Sequence, residues 1–558
     1  MASITSVTSP AERDFDRMLA DSGTGEGEAP ASGSTMPEPI GTRLDDWWAR
    51  MLRTPARQRV WRWGGPAVVI LIAAWARLWN LASPHSLVFD ETYYVKDAWT
   101  LMHLGYSSQW PAGADASFNA GTVNGYTTAG SYVVHPQLGK WLISLGLAVF
   151  GAQDSVGWRI STAIVGILAV ALIIVVARFL FRSTVLAAIA GGLMAIDGNA
   201  IVLSRVALLD NFLMFFVLLG FGSVLLDRSQ SAARLSAWLA RRKDTGRSTA
   251  WGPTLVWRPW LFAAGLSFGL ACAVKWNGVY FLAGFAVYTL VVDALARRRA
   301  GVAFWASGTV FKQGPVSFLL TVPIAVTAYL ASWTGWFVTS GGYYRQWAEQ
   351  AGNAWQGALA WVPLSWQSFW HYQAAAYAYH ISEHQPHAWQ ANPLTWLFLV
   401  RPTAMYYRGT DYGQAGCLVT RCGAAITEIA NPIIWWAAVA AAVYLLYRLI
   451  RLREWQVGLI LMGLAAGYLP WLLYLNRTVF QFYTIAFEPY LILALTFVIG
   501  IFLGNRGDPT WRRLSGIRLV AVFLGFAVLV SAFFFPIWTG MQLPTTFVEL
   551  HYWLPSWR

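Results

Sequence analysis

Acidic residues are scarce in this chain, with 27 Asp and Glu among 558 residues against 40 Lys and Arg. Charged residues of both signs reach only 12%, where a soluble domain carries roughly 25%. An ordinary soluble globular fold is thereby excluded. Cysteine is scarcer still: the three present are Cys272, Cys417 and Cys422. So few exclude a disulfide-dense scaffold. No second Cys/His pair of suitable spacing accompanies Cys417 and Cys422 to complete a zinc site. No internal repeat is visible. The net charge of +13 does not call for nucleic acid, because the basic residues cluster in short loops between apolar runs, where they set membrane topology.

What remains is apolar. The chain is 56% hydrophobic, with a mean hydropathy of +0.45. Runs of about 18 or more apolar residues recur, long enough to cross a bilayer as helices. Residues 1–45, rich in Ser, Gly, Pro, Ala and Glu, predict a disordered cytoplasmic tail without a signal-peptide h-region. Arg50, Arg53, Arg57, Arg59 and Arg62 precede the first apolar run and place that end inside. Spans are predicted near 64–82, 159–179, 183–201, 206–225, 259–275, 278–296, 315–335, 431–449, 455–474, 479–503 and 517–538. The piece at 138–151 is too short for a comfortable crossing and reads as an amphipathic helix on the outer surface. If it crossed, the basic loop at 228–258 would fall outside. This ordering gives about eleven spans, with the N-terminus inside, the C-terminus outside and an external tail at 541–558. Two outer segments are long, 83–158 and 336–430. The second holds Cys417 and Cys422, for which a local disulfide is expected; Cys272 reads as a packing residue.

Against this poverty of acids, Asp90 and Glu91 stand side by side just past the first span. Alone, such a pair reads as a solvated loop feature. A charge within a span costs roughly 2.5 to 3.5 kcal/mol at a helix centre, and those that survive tend to face a cavity. Arg77, Arg159, Asp197, Arg205, Asp210, Lys275, Arg477 and Glu488 all fall near predicted outer span ends. Each has a bland reading: snorkelling to headgroups, helix capping, or pairing of Arg205 with Asp210. Together they predict a basic pocket with a few acids at a lipid–water boundary. Such a pocket suits a lipid phosphate, with a carboxylate placed to take a proton from an incoming hydroxyl.

The motifs are specific. Phe89-Asp90-Glu91, followed by His135-Pro136-Gln137-Leu138-Gly139-Lys140, resembles the first external loop of the protein O-mannosyltransferases. Ser204-Arg205-Val206-Ala207-Leu208-Leu209-Asp210, Lys275-Trp276-Asn277-Gly278, Asn431-Pro432-Ile433-Ile434-Trp435-Trp436 and Asn476-Arg477-Thr478-Val479-Phe480-Gln481-Phe482-Tyr483 extend the likeness. It covers about 64–540, in the style of the actinobacterial branch. The resemblance implies an all-α polytopic membrane protein of the C-type glycosyltransferase fold. It implies inverting transfer of mannose from polyprenyl-phosphate mannose to Ser or Thr hydroxyls of secreted or translocating polypeptides, at the outer face of the plasma membrane. Asp90 would be the base, with Glu91 orienting the acceptor or a neighbouring arginine. Arg77, His135, Lys140, Arg159, Arg205, Asp210, Lys275 and Arg477 would form the donor phosphate and sugar site.

Two departures from the family pattern stand out. Gln137 replaces the second proline of His-Pro-Pro, freeing the local φ. The 336–430 segment is too short for the β-trefoil domain of eukaryotic members. Asp90, Glu91, His135 and Asp210 are hard or borderline metal ligands, but they lack the spacing of a recognised site. No obligatory metal or other cofactor is expected. Membrane lipid is an implied partner, and a secretion channel is a further candidate. The alternatives are a transferase of the same fold moving arabinose or aminoarabinose, or acting on a lipid or glycan, and a flippase for a lipid-linked sugar. The one-sided placement of charge and the absence of repeats weigh against a transporter.

Overall fold

A computed structural model of the protein describes residues 40–558. Residues 1–39 of the expected tail lie outside the described residues. The tail's last residues depart from expectation. The Thr42 hydroxyl accepts from the Asp45 amide at 3.1 Å and opens helix α1 (Arg43–Met51). Arg513 holds the Asp45 carboxylate at 2.9 Å. A capping box and an ion pair fix this segment, which composition alone does not reveal.

All eleven predicted spans are helical. Helix α2 (Pro55–Leu78) starts at Thr54 with proline at its first position, where no amide donor is needed. Helices α3 (Glu91–Leu104) and α4 (Leu138–Phe150) follow in the first long segment, where α4 is an apolar helix too short to span. Among the described residues, seven helices are long and apolar enough to cross a bilayer. They are α5 (Ser155–Phe181), α8 (Asp210–Asp244), α10 (Gly278–Arg299), the stretch Trp305–Ser332, α13 (Pro432–Leu452), the stretch Trp455–Leu473 and α16 (Thr510–Thr539). An eighth is the pair α6 (Thr184–Ile196) and α7 (Gly198–Arg205), bent by 59°. Helices α9 (Pro259–Val274) and α15 (Glu488–Leu503) are apolar but shorter. Within Trp305–Ser332 the α-helix is α11 (Gly314–Ser332), and within Trp455–Leu473 it is α14 (Trp455–Tyr468). Helix α12 (Leu364–Ser382) lies in the second long segment.

Small residues allow close helix contacts. Gly265 and Gly269 lie one turn apart on α9, and a Cβ on Gly269 would meet Ala325 Cα of α11 at 2.4 Å. Without a hydrophobic drive between helices in lipid, such close backbone approach supplies the packing energy.

The second long segment also carries strands, which the all-helical expectation did not include. β1 (Thr403–Asp411) and β2 (Arg421–Glu428) form an antiparallel hairpin, with β3 (Gln542–Pro544) on its other edge. Cys417 and Cys422 are bonded across its turn. The predicted C-terminal tail folds back rather than trailing away. Trp557 is buried, and Arg401 donates to the Ser556 and Arg558 carbonyls.

Candidate active site

Asp90 and Glu91 have opposite surroundings. Phe89 takes a left-handed φ of 49° and turns the chain so that α3 begins directly at Glu91. The Glu91 carboxylate is fully buried and accepts four hydrogen bonds. Oε1 takes Arg159 Nε and the Ala207 amide, both at 2.8 Å. Oε2 takes Arg159 Nη2 at 2.8 Å and the Val88 amide at 2.9 Å. Glu91 thus pairs with Arg159 through both of its oxygens. No lone pair is left for an acceptor hydroxyl. Asp90 is half-buried and nearly unpartnered, with one long hydrogen bond from Tyr94 Oη at 3.5 Å. Burial disfavours its charge and pushes its pKa up to about 6; Asp210 adds to the shift and Lys275 opposes it. A carboxylate with free lone pairs and a raised pKa is suited to accept a proton.

The expected phosphate arginines divide into two groups. Arg77, Arg159 and Arg205 are buried and committed to the backbone. Arg77 donates to the Met194 and Ala195 carbonyls at the end of α6 and to Ser204 Oγ. Arg205 donates to the carbonyls of Ala76, Arg77, Trp79 and Asn80 at the end of α2. Arg159 adds the Leu81, Pro84 and Ser86 carbonyls to Glu91. Gly166 makes this crossing possible, since a Cβ there would meet Ser204 Oγ at 2.0 Å. These three are corrected from phosphate ligands to structural supports: Arg77 ties α2 to α6 and α7, Arg205 holds the end of α2, and Arg159 holds the loop that carries Asp90. Lys140 is likewise drawn away, buried against Asp97 at 3.2 Å. Asp197 caps α7 through the Asn199 amide and also accepts from the Asn431 amide, both at 2.9 Å.

Lys275, Arg477 and His135 do meet, along a cleft walled by Trp276, Tyr280, Tyr377, Trp471, Tyr474 and Tyr483. Asp210, at the start of α8, accepts from Lys275 Nζ through both oxygens at 2.9 Å. The Asp210 carboxylate is thus the direct counterion of the buried Lys275 amine. Lys275 also lies over the Tyr483 ring at 4.5 Å. Arg477 donates through Nη2 to His380 Nδ1 at 2.9 Å, and its Nε has no partner among the described residues. Tyr94 joins Asp90 to this cleft, its ring 6.1 Å from that of His135. Two cations in an aromatic-walled groove, with the Asp90 carboxylate within electrostatic reach of Lys275, can bind an anionic phosphate carrying an apolar tail and activate a hydroxyl nearby.

Two family models match the chain. One, described as "Dolichyl-phosphate-mannose-protein mannosyltransferase", covers residues 126–241, and the other, "C-terminal four TMM region of protein-O-mannosyltransferase", covers 365–557. The polyprenol-phosphate-mannose–protein mannosyltransferase of Mycolicibacterium smegmatis is 35% identical over 506 residues, 89% of this chain and 93% of that protein. The chain belongs to the polyprenol-phosphate-mannose–protein mannosyltransferase family. Family members from Mycobacterium tuberculosis and Corynebacterium glutamicum are 34% and 31% identical, over 89% and 90% of this chain and 92% and 94% of theirs. The Saccharomyces cerevisiae Pmt1–Pmt2 protein O-mannosyltransferase complex, bound to the sugar donor, has a TM-score of 0.67 at 15% identity. It covers 93% of this chain and 95% of that one, and the likeness is one of fold, the C-type glycosyltransferase membrane fold. As a protein mannosyltransferase the chain is an enzyme, not a flippase.

For a mannosyltransferase of this family, sequence reading missed several cleft residues. Trp276 and Tyr483 lay inside motifs quoted for the resemblance but gave no signal of their own. His380 was missed too. Its signal was density: His380, His384 and His387 fall within one short stretch of a chain with only 8 histidines.

Proposed function

We propose that the chain transfers mannose from polyprenyl-phosphate mannose to Ser or Thr hydroxyls of secreted or translocating polypeptides, on the extracytoplasmic face of the plasma membrane. The observation that carries this reading is the aromatic cleft that presents Lys275 and Arg477 beside the unsatisfied carboxylate of Asp90. Sidedness is supported by the basic residues. Arg62 lies about 22 Å from Arg77 along α2, and it neighbours Arg178 at that far end. Arg228, on the long extension of α8, stacks over Trp455 at 4.0 Å. Such a basic end suits the cytoplasmic side, and the cleft lies toward the other.

In this reading the acceptor hydroxyl approaches Asp90, which removes its proton as the oxygen bonds to the mannose anomeric carbon. The bond from that carbon to the phosphate oxygen breaks, inverting the centre. The electron pair leaves with the polyprenyl phosphate, whose growing charge Lys275 and Arg477 stabilise. Asp210 acts through Lys275 by keeping it charged. No metal is required, because the two cations meet the phosphate charge. The prenyl tail stays among the aromatic walls and the bilayer.

The test uses membranes with a labelled lipid-mannose donor and a threonine-containing peptide. Asp90→Asn should lower transfer by about 10²- to 10⁴-fold, the usual share of a general base. Wild-type transfer by that variant removes Asp90 as the base. Mannosylated product from right-side-out vesicles with externally added peptide checks the sidedness, and product only from inverted vesicles overturns it.

A further inference from the structure

His380 lies on α12, outside every motif that carried the family resemblance. Its ring touches three separate parts of the chain. Nε2 is 3.0 Å from the Val134 carbonyl in the first long segment, next to His135. Nδ1 is 2.9 Å from Arg477 Nη2, in the loop before α15. The ring stacks on His135 at 5.4 Å and 29°, and its centroid is 5.6 Å from that of Trp276.

The chemistry of these partners fixes the tautomer. A carbonyl can only accept, so Nε2 carries the hydrogen. A guanidinium can only donate, so Nδ1 is bare and accepts. Only the neutral ring satisfies both. Burial, and then the charge of Arg477, hold the His380 pKa down at about 4, so the neutral form persists at working pH. A carboxylate here would also orient Arg477, but it would cancel the arginine's charge. A neutral acceptor orients the guanidinium and leaves that charge for another anion. Arg477 Nε remains buried without a partner among the described residues.

We propose that His380 is a positioning residue: it aims Arg477 at the donor phosphate without neutralising it, and ties the first long segment to the second across the cleft. This rests on the reading that Arg477 meets the donor phosphate.

The experiment uses the full chain in lipid nanodiscs, with labelled polyprenyl-phosphate mannose and a fixed threonine peptide. Five single variants and one double are compared by donor KM and kcat. His380→Leu should raise donor KM about tenfold, the lower end for a hydrogen bond to a charged group. His380→Asn places an amide oxygen near the lost Nδ1 and should recover most of that loss. His380→Gln instead restores the donor facing Val134 and should not. His380→Glu, which grips Arg477 but cancels its charge, should also raise KM. His380→Leu combined with Arg477→Ala should be no worse than Arg477→Ala alone, because the one acts through the other. Multiplying effects in the double variant, or Gln rescuing as well as Asn, overturn the positioning role and leave the phosphate reading intact. An unchanged donor KM in Arg477→Ala overturns the phosphate reading, and the proposal with it. Should the Leu variant fail to fold, the Asn-over-Gln ranking still decides.

Discussion

Replacing Glu91 by glutamine removes one charge and no bulk, next to the residue assigned as base. Suppose the amide keeps its oxygen where Oε1 was, toward Arg159 Nε and the Ala207 amide. Its nitrogen then faces Arg159 Nη2 and the Val88 amide, both donors. Two of the four hydrogen bonds become donor against donor, and flipping the amide only moves the conflict. Arg159 is left charged and buried without its counterion. Breaking one side of a buried pair costs about 3–5 kcal/mol, which lowers the folded-to-unfolded ratio roughly a hundredfold to several-thousandfold. The assay is SDS-driven unfolding of purified protein in mixed micelles, with transfer measured separately on the fraction that remains folded. Glu91→Gln should unfold at much lower SDS while its folded fraction keeps transfer within a few-fold of wild type. Asp90→Asn should behave in the opposite way, losing transfer while unfolding no earlier than wild type, because a neutral amide relieves the buried charge. The reasoning is refuted if Glu91→Gln unfolds like wild type but has lost transfer, for that is the behaviour of a base.

Transfer should fall as pH drops through about 6, because the raised Asp90 pKa protonates the base there. A pH–rate profile of kcat/KM whose acidic limb lies near 4 contradicts that assignment. The stability sign runs the other way: a carboxyl raised in the folded state gives stability that grows as pH falls from about 6 toward its unfolded value, and Asp90→Asn should abolish that dependence. Lys275→Ala should raise donor KM roughly tenfold to a hundredfold, and Asp210→Asn should raise it less, through loss of the partner that keeps Lys275 charged. Extensive dialysis against EDTA should leave transfer unchanged, and loss restored by one divalent ion overturns the metal-free reading.

Much of this fold can be read from the sequence because lipid imposes simple rules on it. An apolar run of span length has no choice but helix, so all eleven segments are helical. Boundaries are harder to read where tertiary contacts decide them. The run at 183–201 breaks at Asp197, whose carboxylate caps the next helix instead of ending the span. The helix predicted at 206–225 begins at Asp210 and continues to Asp244, because polarity does not stop a helix once it leaves the bilayer. The strands at 403–428 went unread in a loop dominated by aromatic and polar residues. At the site, the level of each charge was legible but its partner was not. Arg77, Arg205, Lys275 and Arg477 share one predicted height, yet only the last two reach the cleft. Which of them meets a carbonyl and which meets a cavity depends on helix crossings that no local pattern encodes.

The three buried arginines have a wider meaning. Between them Arg77, Arg159 and Arg205 donate to ten backbone carbonyls, most of them at the ends or breaks of helices. In a soluble protein water would meet such carbonyls. Where helices end buried inside the protein, water does not reach them, and the guanidinium groups serve as a solvent built into the chain. Lysine cannot replace them, since one ammonium cannot span several carbonyls in a plane. A charge in the membrane region of this protein therefore marks either a substrate or a place where water is missing, and the two are told apart by counting how many of its donors are already spent.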